Sequence, residues 1–189
     1  MEGLRSRVDG TLRLYDNHEL VSTAGPYPVQ GIQDFVLENT SRLSRIEGLE
    51  HLRTVRGRVE IKNNNALQDL EGLRGLETVG QLIIAGNPKL ASLRGLEGLR
   101  SAWAGVSIEN TSLDTLQGLH GLRIASTFAA ARNPKLRVLG GILSDPSPRR
   151  TFGTISFDGI SWPECITRQE RSTLLGAVFE PEKAALPNV

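Results

Sequence analysis

Side chains that could act as nucleophiles or metal ligands are few and widely spaced in this chain of 189 residues. The histidines are His18, His51 and His120, and no two of them stand at the short spacing that metal sites require. Cys165 lies near a predicted helix start, where the pKa of a thiol can fall, but a catalytic role would also need a histidine nearby. We therefore interpret it as a buried and inert cysteine, with a reactive thiol as the alternative. No glycine-rich phosphate-binding motif occurs. These features predict no catalytic residue, no cofactor and no metal site, and therefore a protein that is not an enzyme.

The dominant feature of the chain is a repeat of 23 or 24 residues. Glycine recurs at Gly25, Gly48, Gly72, Gly95, Gly118 and Gly141. Leucine recurs at Leu20, Leu43, Leu67, Leu90, Leu113 and Leu136, and a polar residue precedes each leucine by three positions, at Asn17, Thr40, Asn64, Asn87, Asn110 and Asn133. A fixed period of this length is typical of a solenoid, in which each repeat packs mainly on its neighbours.

Each repeat carries a short alternation of apolar and polar residues, which is the pattern of a β-strand. The inward pairs are Leu12/Leu14, Phe35/Leu37, Val59/Ile61, Leu82/Ile84, Val106/Ile108, Phe128/Ala130 and Ile155/Phe157. After each strand the apolar period changes to three, as in the run from Leu67 to Val79. A period of three with a central glycine disfavours a regular α-helix, so we expect turns, 3₁₀ segments or short extended pieces. The sequence therefore predicts a parallel sheet of about seven short strands with helix-poor coils.

The stretches IIAGNPKLASLRGLEGL (83–99) and NTSLDTLQGL (110–119) resemble leucine-rich repeats. They are most similar to the bacterial and receptor L-domain-like branch of that family, and the resemblance extends from residue 2 to about residue 143. It implies a right-handed solenoid with a strand-lined face and a binding or scaffolding role. It transfers no catalytic residue, because the shared motif is structural.

Two regions are expected, a solenoid of about six coils over 1–143 and a C-terminal capping segment over 144–189. The capping segment would hold the last strand and a helix beginning at Ser161, followed by a tail. At the other end, Glu2-Gly3-Leu4 begins inside a repeat. Terminal coils need a cap, so we expect either that residues 1–8 fold over this end themselves or that the native chain is longer. The alternative is that this end docks on a partner or self-associates with a second copy.

The outward strand positions are the best candidates for a binding surface. The candidate protein-binding residues are Arg13, Tyr15, Val36, Glu38, Arg58, Glu60, Lys62, Ile83, Ser107 and Glu109. A solvated sheet face without function is the alternative for the same residues.

Composition excludes several other classes of function. The net charge is +1 and no basic-aromatic alternation occurs, so we expect no nucleic-acid partner. No long apolar run occurs, so no membrane insertion is expected. The absence of a signal peptide and the single cysteine indicate a cytoplasmic protein if the chain is complete, whereas a piece of a larger protein would be secreted or at the cell surface. The predicted function is a non-catalytic protein-binding or scaffolding module; the alternative is a structural or self-assembling segment of a larger protein.

Overall fold

The described strands all run parallel in one continuous sheet, and successive coils of the chain supply them. The computed structural model describes residues 6–7, 10–25, 29–139 and 151–158. The strands are β1 (Ser6–Arg7), β2 (Leu12–Tyr15), β3 (Val29–Ile32), β4 (Phe35–Glu38), β5 (Thr54–Lys62), β6 (Thr78–Asn87), β7 (Ser101–Thr111), β8 (Ile124–Ala131) and β9 (Thr151–Asp158). This arrangement is a parallel β-solenoid, which confirms the predicted repeat architecture.

The first two coils each carry two short strands, whereas later coils carry one long strand. β1 pairs with β3 and β3 with the start of β5, while β2 pairs with β4 and β4 with the end of β5. All seven predicted strand positions lie in this sheet, in β2 and in β4 to β9. The long strands also include Val55, Val79, Ala102 and Ala125, which the period-three pattern had assigned to the preceding segment. They join the strand because each pairs in register with its copy in the next coil.

The core is a continuous stack of apolar side chains between the sheet and the coil segments. Leu67, Leu70, Leu73 and Leu76 of one coil are all fully buried. Burial of one leucine contributes about 1.5–3 kcal/mol, so this one coil supplies several kcal/mol of apolar stabilisation. The segments that carry these leucines contain turns and two 3₁₀ turns, Glu71–Leu73 and Gln117–Leu119, and no α-helix occurs among the described residues.

A ladder of buried amide side chains follows the strands and links successive coils. Asn87 Oδ1 accepts a hydrogen bond of 3.0 Å from the backbone N–H of Asn64, and Asn87 Nδ2 donates to the Ile61 carbonyl oxygen at 2.9 Å. Asn64 makes the equivalent contacts with Thr40 N at 3.0 Å and with Leu37 O at 3.1 Å. The ladder thus satisfies backbone groups that the core would otherwise leave without partners.

Asn110 does not belong to this ladder, contrary to the prediction from spacing. Thr111 pairs with Asn87 in the sheet and is buried, and its amide and hydroxyl both donate to Asn133 Oδ1. Asn110 is exposed instead, with a φ of 52°. The ladder position has shifted by one residue because β7 contains one residue more than its neighbours.

The corner glycines adopt two alternating conformations. Gly48 and Gly95 have φ values of 82° and 104°, whereas Gly72 and Gly118 lie in the 3₁₀ turns. At Gly95 a Cβ would also collide with the Leu70 carbonyl oxygen of the preceding coil. The predicted need for positive φ or close approach is therefore confirmed at this corner.

A glutamate two residues after each of the two positive-φ corner glycines, Gly48 and Gly95, closes the turn. Gly48 N donates to Glu50 Oε1 at 3.1 Å, and Gly95 N donates to Glu97 Oε2 at 2.8 Å. A hydrogen bond from the backbone of Glu50 itself lowers the pKa of the Glu50 carboxyl, burial opposes this shift, and the Gly48 backbone bond together with the nearby Arg74 and His51 lowers the pKa further. In each of these turns the glutamate carboxylate thus serves as the hydrogen-bond acceptor for the backbone N–H of the glycine.

Two of the long strands, β5 and β7, contain a β-bulge. Val55 pairs with Val79 and Val59 with Leu82, so β5 has one residue more than β6 between these pairs. β7 likewise has one residue more than β6 and β8 between Ala102 and Val106. The bulge of β5 accounts for the single repeat of 24 residues, while the shorter turn from Thr111 to Leu113 compensates for the bulge of β7.

Ion pairs between adjacent coils occur at two positions where residues of opposite charge recur one repeat apart. Arg53 Nη1 lies 2.8 Å from Glu77 Oε1, and Arg94 Nε lies 2.7 Å from Glu71 Oε1. These side chains are about half exposed or more, so each pair contributes only a few tenths of a kcal/mol. The predicted capping helix from Ser161 to about Val178, with Cys165, lies outside the described residues.

Candidate interaction surfaces

The parallel register assembles nine of the ten predicted binding residues into two adjacent rows. One row runs Arg13, Val36, Glu60, Ile83 and Ser107 across β2, β4, β5, β6 and β7. The second row runs Tyr15, Glu38, Lys62, Ala85 and Glu109 across the same strands. Arg58, the tenth candidate, precedes the first row on β5 and pairs with Gln81. We refer to these two rows with Arg58 as the strand face.

Two of the ten candidates are not exposed, contrary to the expectation for outward strand positions. Val36 and Glu60 each keep only 6% of their accessible surface. Glu60 is covered because Arg58 and Lys62, two residues before and after it on the same side of β5, both bind its carboxylate, with an Arg58 Nε distance of 3.2 Å. Val36 lies between Arg13 and Glu60 in the row, where longer side chains flank it.

The other strand-face candidates are accessible to different degrees. Tyr15 is 58% exposed, and Arg13 and Arg58 are also exposed. The remaining five, Glu38, Lys62, Ile83, Ser107 and Glu109, are partly buried. Towards β8 the rows continue into Ala129 and Ala131, so the surface becomes flat and poor in charge. The face can therefore provide apolar contact in its centre and charged contact near β2 to β5.

Trp103 and Ile124 are exposed apolar side chains outside the strand face, and sequence reasoning assigned them no role. Trp103 lies in the bulge of β7 and is 58% exposed, and Ile124 begins β8 and is 47% exposed. The alternation of inward and outward strand residues predicts Tyr15 alone as an exposed aromatic side chain, because this pattern assumes strands without bulges. The detectable signal is the spacing of four rather than three residues between the inward Ala102 and Val106.

The titratable side chains do not assemble into a metal site in the part of the chain that the structure describes. No group of three or more His, Cys, Asp or Glu side chains there could hold a metal ion. His18 Nδ1 lies 3.2 Å from Ser41 Oγ, and His120 Nδ1 lies 2.7 Å from the Gln117 carbonyl oxygen. The described residues also include no helix long and apolar enough to cross a membrane.

A small apolar cavity opens at the N-terminal end of the solenoid. It has a volume of about 110 Å³. Its lining residues are Leu12, Leu14, Leu20, Ser22, Thr23, Ala24 and Leu49. The first three leucines are only partly buried, whereas the equivalent residues of the central coils are fully buried.

Comparisons of the chain with protein-family models, with curated proteins and with solved structures gave no match. Inference about function therefore depends on the surfaces of the solenoid itself.

Proposed function

We propose that this protein is a non-catalytic protein-binding or scaffolding module of the leucine-rich-repeat type, with receptor L-domain-like coils. The observation that carries the proposal is the register of the sheet, which aligns Tyr15, Ile83 and Ser107 with charged side chains in two uninterrupted rows. A rigid surface of this kind suits a protein partner because its side chains are held by the strands before binding, which lowers the entropic cost of association.

The chemistry of the strand face fits a partner with mixed apolar and charged contacts. The Glu60 carboxylate is already paired with Arg58 and Lys62, so its burial under a partner would not leave this carboxylate without a countercharge. Tyr15 provides an exposed aromatic anchor at one end of the face, and Ile83 provides an apolar centre.

Site-specific crosslinking tests this proposal. A photoreactive amino acid at Tyr15 is expected to capture one defined protein in cells of the source organism, and Ser107→Arg should reduce the yield at least about tenfold by placing a long charged side chain in the contact. Gln68→Arg is the matched control, because Gln68 is exposed on a coil segment away from the strands. Equal capture in Ser107→Arg and Gln68→Arg would contradict binding at the strand face.

The second candidate function is self-assembly through the N-terminal end. The cavity beside Leu12, Leu14 and Leu20 and the partial exposure of these leucines favour it, because a second molecule would complete the apolar stack. Sedimentation velocity of the full chain is expected to show a dimer at tens of micromolar, and Leu14→Glu should convert it to a monomer. A wild-type monomer at every accessible concentration would exclude this function.

A further inference from the structure

β2 is an edge strand at the N-terminal end of the sheet. Within the part of the chain that the structure describes, it pairs only with β4. Leu12 N donates to Asp34 O at 2.9 Å, so Leu12 turns its backbone groups toward β4. Parallel strands turn every second residue toward a given neighbour, so the backbone groups of Arg13 and Tyr15 point away from β4. This edge can therefore exchange hydrogen bonds with a further strand.

The side chains of this edge are accessible on its outward side and incompletely covered on its inward side. Tyr15 is 58% exposed, and Arg13 is also exposed. The Tyr15 carbonyl oxygen accepts a bond of 2.9 Å from Asn17 Nδ2 and keeps a second lone pair. Leu12 and Leu14 are only partly buried and line the N-terminal cavity. Whatever covers this edge must therefore supply both a strand and apolar side chains.

A second copy of the chain can supply both, and symmetry fixes the direction of its strand. Two identical edges related by a two-fold axis perpendicular to the sheet pair antiparallel, with their inward faces on the same side. Inward residues must then oppose inward residues, so one residue of β2 must lie opposite its own copy. Centring on Leu12 or Tyr15 pairs only that one residue of β2, whereas centring on Arg13 or Leu14 pairs three. The last two alignments are therefore the favourable ones.

Charge selects between these two alignments. Centring on Arg13 places its guanidinium directly opposite the same group of the second copy, which is repulsive. Centring on Leu14 places Arg13 of each copy opposite Tyr15 of the other, and a guanidinium is attracted to a tyrosine ring. Arg13 and Tyr15 both turn their backbone groups to the free side, so each of these opposed pairs can exchange both of its backbone hydrogen bonds. Leu14 then meets its copy on the inward side, beside the cavity.

We infer that two copies of this chain join through β2 in an antiparallel two-fold junction centred on Leu14, in which Arg13 of each copy packs against Tyr15 of the other. The occupant is a second copy because this edge is complementary to itself, with a cation opposite an aromatic ring and leucine opposite leucine. The inference rests on the second candidate function, self-assembly at the N-terminal end. That function requires only a dimer, whereas the inference specifies the strand, its alignment and the residues in contact.

Disulfide trapping between two cysteine variants tests this alignment. Arg13→Cys and Tyr15→Cys, each made in the full chain with Cys165→Ser, are mixed, oxidised with glutathione and separated on a non-reducing gel. Opposed residues of a hydrogen-bonded antiparallel pair have Cα atoms about 5.5 Å apart, within disulfide range, whereas diagonal neighbours are about 7–8 Å apart. The mixture should therefore form a crosslinked dimer, which retains one contact between Arg13 and Tyr15, and neither variant alone should do so.

The contribution of the Arg13 contact is measured separately in the chain without cysteine substitutions. Arg13→Ala should weaken dimerisation about fivefold or more in sedimentation velocity, because both contacts between Arg13 and Tyr15 are lost. Its urea midpoint should match that of the wild type, since Arg13 is exposed. Unchanged dimerisation in this variant would overturn the inference.

A collision control and the wild-type dimer separate the remaining outcomes. Tyr15→Cys mixed with Gln68→Cys reports crosslinking by chance encounter, because Gln68 is exposed on a coil segment. Crosslinking by Arg13→Cys alone, or mixed crosslinking no stronger than this control in a protein that dimerises, would overturn the inference and leave self-assembly standing. A wild-type monomer would overturn both, and slow hydrogen exchange at the Arg13 and Tyr15 amides of that monomer would show that the chain covers its own edge.

Discussion

At the scale of single residues, the ladder amides do more for the fold than any surface charge. Asn87 uses one oxygen and one nitrogen to bind backbone groups of the coil before it, and it is completely buried. An exposed ion pair in water is worth little, whereas a buried backbone group without a partner is costly. The asparagines therefore recur because each coil needs the same two backbone groups satisfied.

We expect Asn87→Ala to lower the free energy of unfolding by about 2–4 kcal/mol, because the buried Asn64 amide would lose its acceptor. Asn17→Ala is the matched control, since Asn17 is exposed and its side chain donates to the Tyr15 carbonyl oxygen within its own turn. Urea unfolding followed by circular dichroism measures both variants. Similar losses in the two variants would show that the ladder is not a major source of stability.

At the scale of the secondary-structure elements, corner geometry limits which residues each coil tolerates. Gly95→Ala should destabilise the protein by more than about 2 kcal/mol, because positive φ strains alanine and its Cβ would strike the Leu70 carbonyl oxygen. Gly31→Ala should be nearly neutral, since a Cβ there would meet Thr54 O at an ordinary 3.6 Å. Thermal unfolding compares them, and an unaffected melting temperature in Gly95→Ala would contradict this account.

The strands and the core were predictable from the sequence because inward residues must alternate and must pack in every coil. Val59 and Ile61 are two residues apart, and a β-strand places such residues on the same face whereas a helix does not. A side chain that faces outward is not necessarily exposed, however. The alternation of apolar and polar residues predicts that Glu60 faces outward, but it cannot show that Arg58 and Lys62 cover it. The bulge at Trp103 was also missed, because the shortened turn at Thr111 conceals the extra residue within an unchanged repeat length.

At the scale of the whole molecule, stability is distributed unevenly along the solenoid. Each coil contacts its neighbours on two sides, except at the ends, and the first coil keeps its leucines only partly buried. In repeat proteins the free energy of unfolding is close to a sum of the stability of each repeat and the stability of each interface between neighbouring repeats. The N-terminal coil should therefore open without unfolding of the centre, which is the property that a self-assembling end would need.

Native-state hydrogen exchange tests this distribution with two inward-facing leucines of the sheet, Leu82 in β6 and Leu14 in β2. Leu82→Ala in the fully buried centre should lower the opening free energy of amides in β5 to β8 together, by about 2–5 kcal/mol, because it creates a cavity that the coils on both sides share. Leu14→Ala in the partly buried first coil should lower protection only in β2, which contains Leu14, and in β4, on which it stacks. A uniform loss of protection along the sheet in Leu14→Ala would mean that the solenoid unfolds as one cooperative unit, and an N-terminal end that opens separately would then be excluded.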